Sequence, residues 1–301
     1  MPRKDRIDLT GFSLLVALSL LFGVNQIAIK LSNSGFNPAF GAGLRSLLGV
    51  AVVLVWMWAR GIPMRVVPGT FGLGLALGVI FAAEFLCLFV ALDHTSVART
   101  TVMLYSMPVW FALASHYTFP GEQITRIKAV GLALAFGGMA AALLDRSSAP
   151  VGSGVFGDLV ALGAGIGWAA VAYIARILSS RGVGAEMQIV WMAGVSAPLL
   201  LLAGPAFGPL LRDPGMIAIA SIVFQGSVVV ALGFIVWFWL LGVYPPAGVA
   251  SFSFLSPVLA ILLGAVVLNE ALSPILLIAG AGIAVGLILI NWPRRAHPAP
   301  L

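Results

Sequence analysis

The sequence predicts an all-α polytopic membrane protein whose ten transmembrane helices form two inverted five-helix repeats. Three observations carry that prediction. Of the 301 residues, 61% are hydrophobic and only 9% charged, against about 25% charged in an ordinary soluble domain. Apolar windows long enough to cross a bilayer, about 20 residues each, follow one another along nearly the whole chain. The second part of the chain also repeats the spacing of Pro, Gly and Glu found in the first.

The ten windows run 11–31, 38–58, 69–90, 96–118, 128–144, 155–177, 187–206, 215–240, 247–268 and 275–292. The first follows Arg3, Lys4 and Arg6 but has no small-residue cleavage site after it, and it is read as a retained span. It carries Asn25 and Gln26, with Lys30 at its end. The second contains Arg45 and ends at Trp56 and Trp58. In the third lie Glu84 and Cys87, the only cysteine, which excludes a disulfide framework and a thiolate metal cluster. The fourth holds Tyr105, Pro108, Trp110 and His116; the sixth Trp168; the eighth Gln225; and the ninth Ser253, Ser256 and Pro257. Gly74/Gly78, Gly163/Gly167 and Gly282/Gly286 are small-xxx-small pairs suited to close helix contact. The connectors, such as "SNSGFNPA" and "DRSSAPVGSG", have turn composition and none is long enough for a soluble domain.

Basic residues set the orientation. With the N-terminus inside, eleven of the sixteen Lys and Arg residues fall on the cytoplasmic side, while Lys30, Arg99, Arg146 and Arg212 fall opposite and Arg45 lies within a span. Both termini are therefore expected to be cytoplasmic. Trp56, Trp58, Trp191, Trp237, Trp239 and Trp292 collect at the same helix ends, as interfacial aromatic rings do. The net charge of +6 thus reports topology and not nucleic-acid binding.

The internal repeat aligns "TSVARTTVMLYSMPVWFALASHYTFPGEQIT" with "YPPAGVASFSFLSPVLAILLGAVVLNEALS". Ala98, Pro108, Gly131 and Gly137 map to Ala247, Pro257, Gly280 and Gly286 at a constant offset of 149, and Glu122 maps to Glu270 at 148. Two units follow, 11–144 and 155–292. Because five is odd, the second enters the membrane from the opposite side, giving the inverted repeat common in secondary transporters.

The first of these segments, extended to "ALDHTSVARTTVMLYSMPVWFALASHYTFPGEQITRIKAVGLALAFGGM", resembles the EamA domain of the drug/metabolite transporter superfamily. "GVYPPAGVASFSFLSPVLAILLGAVVLNEALSPILLIAGAGIAVGLI" repeats the likeness, and "LLFGVNQIAIK" and the Arg45 of "GLRSLLG" resemble the opening helices of the family. The resemblance implies a central cavity lined mainly by spans 1 to 4 and 6 to 9, with spans 5 and 10 peripheral, in a bacterial inner-membrane carrier of amino acids or other metabolites. Within the superfamily the chain resembles the aromatic amino-acid exporter (YddG-like) branch, although no single residue is diagnostic of it. One departure is that Ala169 stands where the first half has Asn25, which makes an asymmetric site the expectation.

The candidate substrate-binding residues are Asn25, Arg45, Glu84, Tyr105, Trp168, Gln225, Ser253 and Ser256. Arg45 and Glu84 are charges about 10 Å inside the bilayer, and such charges face a cavity or a partner. Three alternatives stand: Glu84 carries a coupling proton, Arg45 holds a substrate carboxylate, or the two form a structural ion pair. Asn25 offers an amide to a polar substrate or to a neighbouring helix. Trp168 offers an aromatic wall. Pro108 and Pro257, at matched positions, are candidate gating bends, though proline is common in membrane helices generally. His116 reads as an interfacial histidine.

No HExxH, GxSxG or Walker loop is present. The sequence therefore points to no enzyme, no ATP-driven pump, no cofactor and no metal. The expected partners are the lipid bilayer and a small-molecule substrate, with the protein a monomer or homodimer. A channel and a membrane scaffold are the alternatives outside the carrier class.

Overall fold

The computed structural model describes residues 7–118, 123–150, 154–244 and 255–290. Those residues are almost entirely helical: α1 (Leu9–Asn33), α2 (Pro38–Ala59), α3 (Phe71–His94), α4 (Val97–Leu104), α5 (Met107–Thr118), α6 (Arg126–Leu144), α7 (Phe156–Ser180), α8 (Ala185–Ala203), α9 (Met216–Val223), a π-helical segment Phe224–Gly233, α10 (Phe234–Val243), α11 (Leu255–Leu268) and α12 (Pro274–Ile290). Among the described residues, eight helical stretches are long and apolar enough to cross a membrane. The described parts of α11 and α12 are apolar and span 14 and 17 residues. Eight spans and the described parts of two further apolar helices thus occupy the ten predicted windows.

Local sequence sets the helix boundaries. Asp8 accepts from the Gly11 amide at 2.9 Å and starts α1. Asn37 caps α2 through the Phe40 amide at 2.8 Å, with Pro38 at the first position, where a missing N–H costs nothing. Ser96 and Thr125 cap α4 and α6 in the same way. The fourth window is not one helix: α4 stops at Leu104 and α5 restarts at Met107, so Pro108 sits in the first turn of a new helix. The proline ring tolerates that position and would break a helix interior. Pro257 is the third residue of the described part of α11.

Glycine pairs allow helices to approach closely. A Cβ built on Gly131 of α6 would lie 2.6 Å from the Gly286 carbonyl of α12, and one built on Gly286 would lie 2.5 Å from the Gly131 carbonyl. α6 and α12 therefore pack backbone to backbone. Gly74 and Gly78 admit Trp191 and Val195 of α8 against α3, and Gly167 of α7 rests on the Glu84 backbone. Each expected small-residue pair lies in a helix contact. The surface carries large exposed apolar side chains such as Val55, Leu144, Leu202, Ile217, Val266 and Ile278. On a bundle of this length that apolar coat suits lipid and not water.

The bundle has two ends. One bears the start of α1; the other, here called the distal end, bears the turns after α1, α3, α6, α8 and α11. The distal end is tied by polar contacts. Asn37 Nδ2 donates to the Gly204 carbonyl at 3.0 Å, Asn33 Nδ2 to the Phe89 carbonyl at 2.8 Å, and Arg212 pairs with Asp93 at 2.8 Å. Arg99 departs from expectation. At a helix end expected to lie opposite the cytoplasmic side, it is not exposed but fully buried, and it pairs with Asp158, also fully buried, at 2.7 Å. It also donates to the carbonyls of Asp145 and Ala142, each at 2.6 Å. Thr95 and Arg146 complete the shell around Asp158 at 2.9 and 2.5 Å.

Candidate functional site

A cavity of about 340 Å³ lies inside the bundle. Its wall draws on α1 (Leu18, Ser19, Phe22, Asn25, Gln26), α2 (Arg45), α3 (Phe81, Glu84, Phe85, Leu88), the α4–α5 break (Leu104, Tyr105, Met107, Pro108), α7 (Trp168, Val171, Ala172), α8 (Met192), the eighth span (Val229, Phe234, Trp237), α11 (Ser256) and α12 (Leu287). The eight spans implied by the family resemblance all contribute. α6 and α12 pack mainly against each other, and of these two peripheral helices only α12 reaches the cavity, through Leu287.

The distal end is plugged. On α1 the lining stops at Gln26, seven residues before the helix ends; on α2 it begins at Arg45, seven residues after Pro38. At 1.5 Å per residue the plug is about 10 Å thick. Toward the other end the lining stops at Leu18 and Trp237, and what marks the distal end is its packing: Ile27, Ile29, Ser32 and Asn33 of α1 and Asn37 and Ala39 beside them are buried, whereas Leu9 and Phe12 at the start of α1 are exposed.

Arg45 is 1% exposed, and its guanidinium carbon lies 3.7 Å from the centroid of Phe85 and 5.9 Å from that of Phe81. That stacking is a cation–π contact, favourable for a desolvated guanidinium. Nε and Nη1 have no hydrogen-bond partner among the described residues. Glu84, 5% exposed, leaves Oε2 without a partner as well. The two charges are near enough to attract yet form no direct ion pair, because the Phe81 and Phe85 rings hold the guanidinium. α3 continues to His94, so Glu84 lies ten residues from the distal end of its helix and deeper than its window implied.

Polar acceptors and an aromatic wall complete the site. Asn25 Oδ1 and Gln26 Oε1 are buried, line the cavity and have no partner among the described residues. The ring of Tyr105 meets that of Trp168 edge to face, centroids 5.5 Å apart, and its hydroxyl faces Ser256. The backbone break at Ser106 turns Tyr105 inward, and the Gly167–Glu84 contact draws α7 close enough for Trp168 to reach the wall.

Of the expected site residues, the cavity brings together Asn25, Arg45, Glu84, Tyr105, Trp168 and Ser256, with Pro108 beside them. Gln225 lies apart, fully buried in the π-helical segment, donating to the Ser32 hydroxyl at 3.3 Å. Pro257 is next to Ser256 but is not part of the wall. Ser253 lies outside the described residues. Trp110 packs on Phe136 and donates to Ser106 at 2.9 Å, and His116 accepts from the Ile124 amide at 3.1 Å. Many lining residues escaped the sequence reading, Gln26, Phe81, Phe85 and Trp237 among them. Gln26 carried a signal, a second amide beside Asn25 in an apolar helix. Phe81 and Phe85 carried a weaker one, two rings four residues apart on either side of Glu84.

A ligand-sized chamber inside a lipid-coated bundle, mostly apolar with a few unmet polar groups, walled by both halves of the chain and closely packed at one end, belongs to a membrane transporter. Comparison with known proteins identifies the kind. The sequence model described as the EamA-like transporter family matches residues 9–144 and again 155–292, and the chain belongs to that family. It is 29% identical to a protein of Salmonella typhimurium named probable amino-acid metabolite efflux pump, over 97% of this chain and 95% of that one. It is 27% identical to the uncharacterized transporter YvbV of Bacillus subtilis, over 95% and 93% of the two chains. A solved crystal structure superposes with a TM-score of 0.68 at 22% identity, covering 93% of this chain and 97% of the other, and shows the shared fold.

Proposed function

We propose that this transporter exports amino acids, aromatic ones included, from the bacterial cytoplasm across the inner membrane by alternating access around the central cavity. The observation that carries the reading is the pairing of unmet charges. Arg45 offers free guanidinium donors, and Glu84, Asn25 and Gln26 offer free acceptors, all on one chamber. A zwitterion supplies the complement of both sets, its carboxylate to Arg45 and its ammonium to the acceptors. The Tyr105–Trp168 wall and Phe22, Phe234 and Trp237 suit an apolar or aromatic side chain. The name of the Salmonella relative supports the same class of cargo.

The proposal includes two inverted repeats over 11–144 and 155–292, cytoplasmic termini and a monomeric or dimeric assembly. It also gives Pro108 and Pro257 the role of bends that move between states. The test is counterflow of radiolabelled Phe, Trp, Thr and Met in proteoliposomes, with and without an imposed proton gradient. Saturable counterflow of the aromatic substrates, indifferent to the gradient, is the expected result; absence of flux for all four sinks the amino-acid reading.

A second reading has its own support. A buried carboxylate facing a cavity is the usual seat of a coupled proton, and Glu84 would then couple export or import of another metabolite or drug to proton flow. Gradient-driven flux abolished by Glu84→Gln favours this alternative.

A further inference from the structure

Among the contacts that join the two halves of the chain across the distal plug, one meets the short helix that leads to the cavity wall. α11 ends at Leu268, and Asn269, with φ of 54°, turns the chain back so that the Glu270 amide donates to the Gly264 carbonyl at 3.2 Å. Asparagine tolerates that left-handed conformation better than most residues. The turn aims the Glu270 carboxylate across at the start of α4. Its Oε1 accepts from the Val97 amide at 2.8 Å and its Oε2 from the Ala98 amide at 3.2 Å.

These are two of the amides that a helix leaves unsatisfied at its start, where the helix dipole also favours negative charge. Lys30 closes the group. Its Nζ lies 3.9 Å from Glu270 Oε1 and donates to the carbonyls of Thr95 and Leu92, at 2.5 and 3.2 Å. One carboxylate from the later half of the chain therefore holds a helix of the earlier half, next to an ammonium on α1.

α4 runs only from Val97 to Leu104, and its far end delivers Tyr105 to the cavity just before the Ser106 break. A rigid eight-residue rod thus links the Glu270 contact to the cavity wall, about 12 Å away. A distal opening that moves α4, the helix that carries Tyr105, must part it from α11. We propose that Glu270 is the latch of a distal gate, a positioning residue that keeps the cavity closed at that end while it holds α4 and releases α4 when the cavity opens there. The proposal rests on transport by this fold, not on the identity of the cargo.

The test needs no substrate. In a Cys87→Ser background, Met107→Cys places a reporter thiol on the cavity wall. Its modification by a membrane-impermeant maleimide is timed from each face, in right-side-out and in inverted vesicles. With Glu270 intact, the distal face reacts slowly. Glu270→Ala raises the distal-face rate by about fivefold or more and leaves the rate from the other face unchanged. Glu270→Gln, which loses the charge but keeps one acceptor, gives an intermediate rise and serves where the alanine variant does not accumulate.

A cross-link gives the converse. A Cβ built on Gly264 lies 3.3 Å from that of Val97, a few tenths below the disulfide range of about 3.5–4.5 Å. Val97→Cys with Gly264→Cys, oxidised in the Glu270→Ala protein, returns the distal-face rate to the intact level, and reductant releases it. A distal-face rate within about twofold of the intact protein in both Glu270 variants overturns the latch. So does an equal rise from both faces, which marks loosening of the whole bundle, and so does a disulfide that leaves the rate raised. Failure of amino-acid counterflow touches none of these outcomes.

Discussion

Asp158→Ala should destabilise this protein more than any other single change at the distal end. Asp158 accepts from Arg99 Nε at 3.1 Å and Nη2 at 2.7 Å, from Thr95 Oγ1 at 2.9 Å and from Arg146 Nη1 at 2.5 Å. Each hydrogen bond to a charged group contributes about 1.5–3 kcal/mol, but the four are not additive. Arg99 would also keep two backbone carbonyl acceptors. What remains is a fully buried guanidinium without its counter-charge, which costs about 3–5 kcal/mol. Reversible unfolding in mixed micelles would measure the cost. Arg99→Ala should lose a similar amount. The double variant should fall short of the sum of the two by about 2 kcal/mol or more, the coupling of a contacting pair. Additive losses, or an Asp158→Ala cost under about 1 kcal/mol, would refute the claim that this pair holds the end of the bundle together.

Two further outcomes follow from the other charged groups. Arg45→Leu should abolish counterflow yet change unfolding free energy by no more than about 1 kcal/mol, because it removes a buried charge with unfilled donors; a large stability loss would mean that Arg45 is structural. At the end of α6, hydrogen bonds from the Ser147 hydroxyl, Ser273 and the Ser147 amide hold the Asp145 carboxyl below its ordinary value. A depressed folded-state value means that the stabilisation is full above the ordinary aspartate range, near pH 3.9, and is lost as pH falls through the lowered value. The difference in melting temperature between the wild type and Asp145→Asn should therefore persist from about pH 7 to pH 5 and shrink on further acidification. A gap that does not vary with pH contradicts the assignment.

Most of the fold was legible because hydrophobic length is a strong signal in a bilayer. Nine of the ten windows coincide with single continuous helical stretches or their described parts, and the ends that moved did so for local reasons. α3 runs on to His94 because its end is tied, Asp93 pairing with Arg212 and the Leu92 carbonyl accepting from Lys30. The fourth window divides because Pro108, two residues after Ser106, starts a helix more readily than it continues one. The site was legible where an isolated polar residue interrupts an apolar run, as at Asn25, Arg45 and Glu84. It was not legible at Phe81, Phe85 or Trp237, since aromatic residues in a membrane helix look the same whether they face lipid, a neighbour or a cavity. Gln225 shows the opposite failure: a lone amide in an apolar run that serves a neighbouring helix through Ser32.

The charges divide along the same line, and hydrogen bonding is what separates them. Arg99 and Arg45 are both arginines in apolar surroundings, and both are almost wholly buried. Arg99 spends its donors on one carboxylate and two carbonyls of the same protein, whereas Arg45 stacks on a ring and leaves Nε and Nη1 unmet. Leaving a buried donor unmet costs about 1–3 kcal/mol, more for a charged group. Spread over Arg45, Glu84, Asn25 and Gln26, that cost is concentrated on a single chamber, while the distal plug a few turns away is densely bonded. Unmet donors and acceptors facing each other across a cavity are the groups a bound solute can satisfy. A plug whose bonds link helices from both halves is what must break for that solute to leave at the distal end. The same chain thus sets its stability at one end against its binding capacity at the centre, and the short helix α4 connects the two.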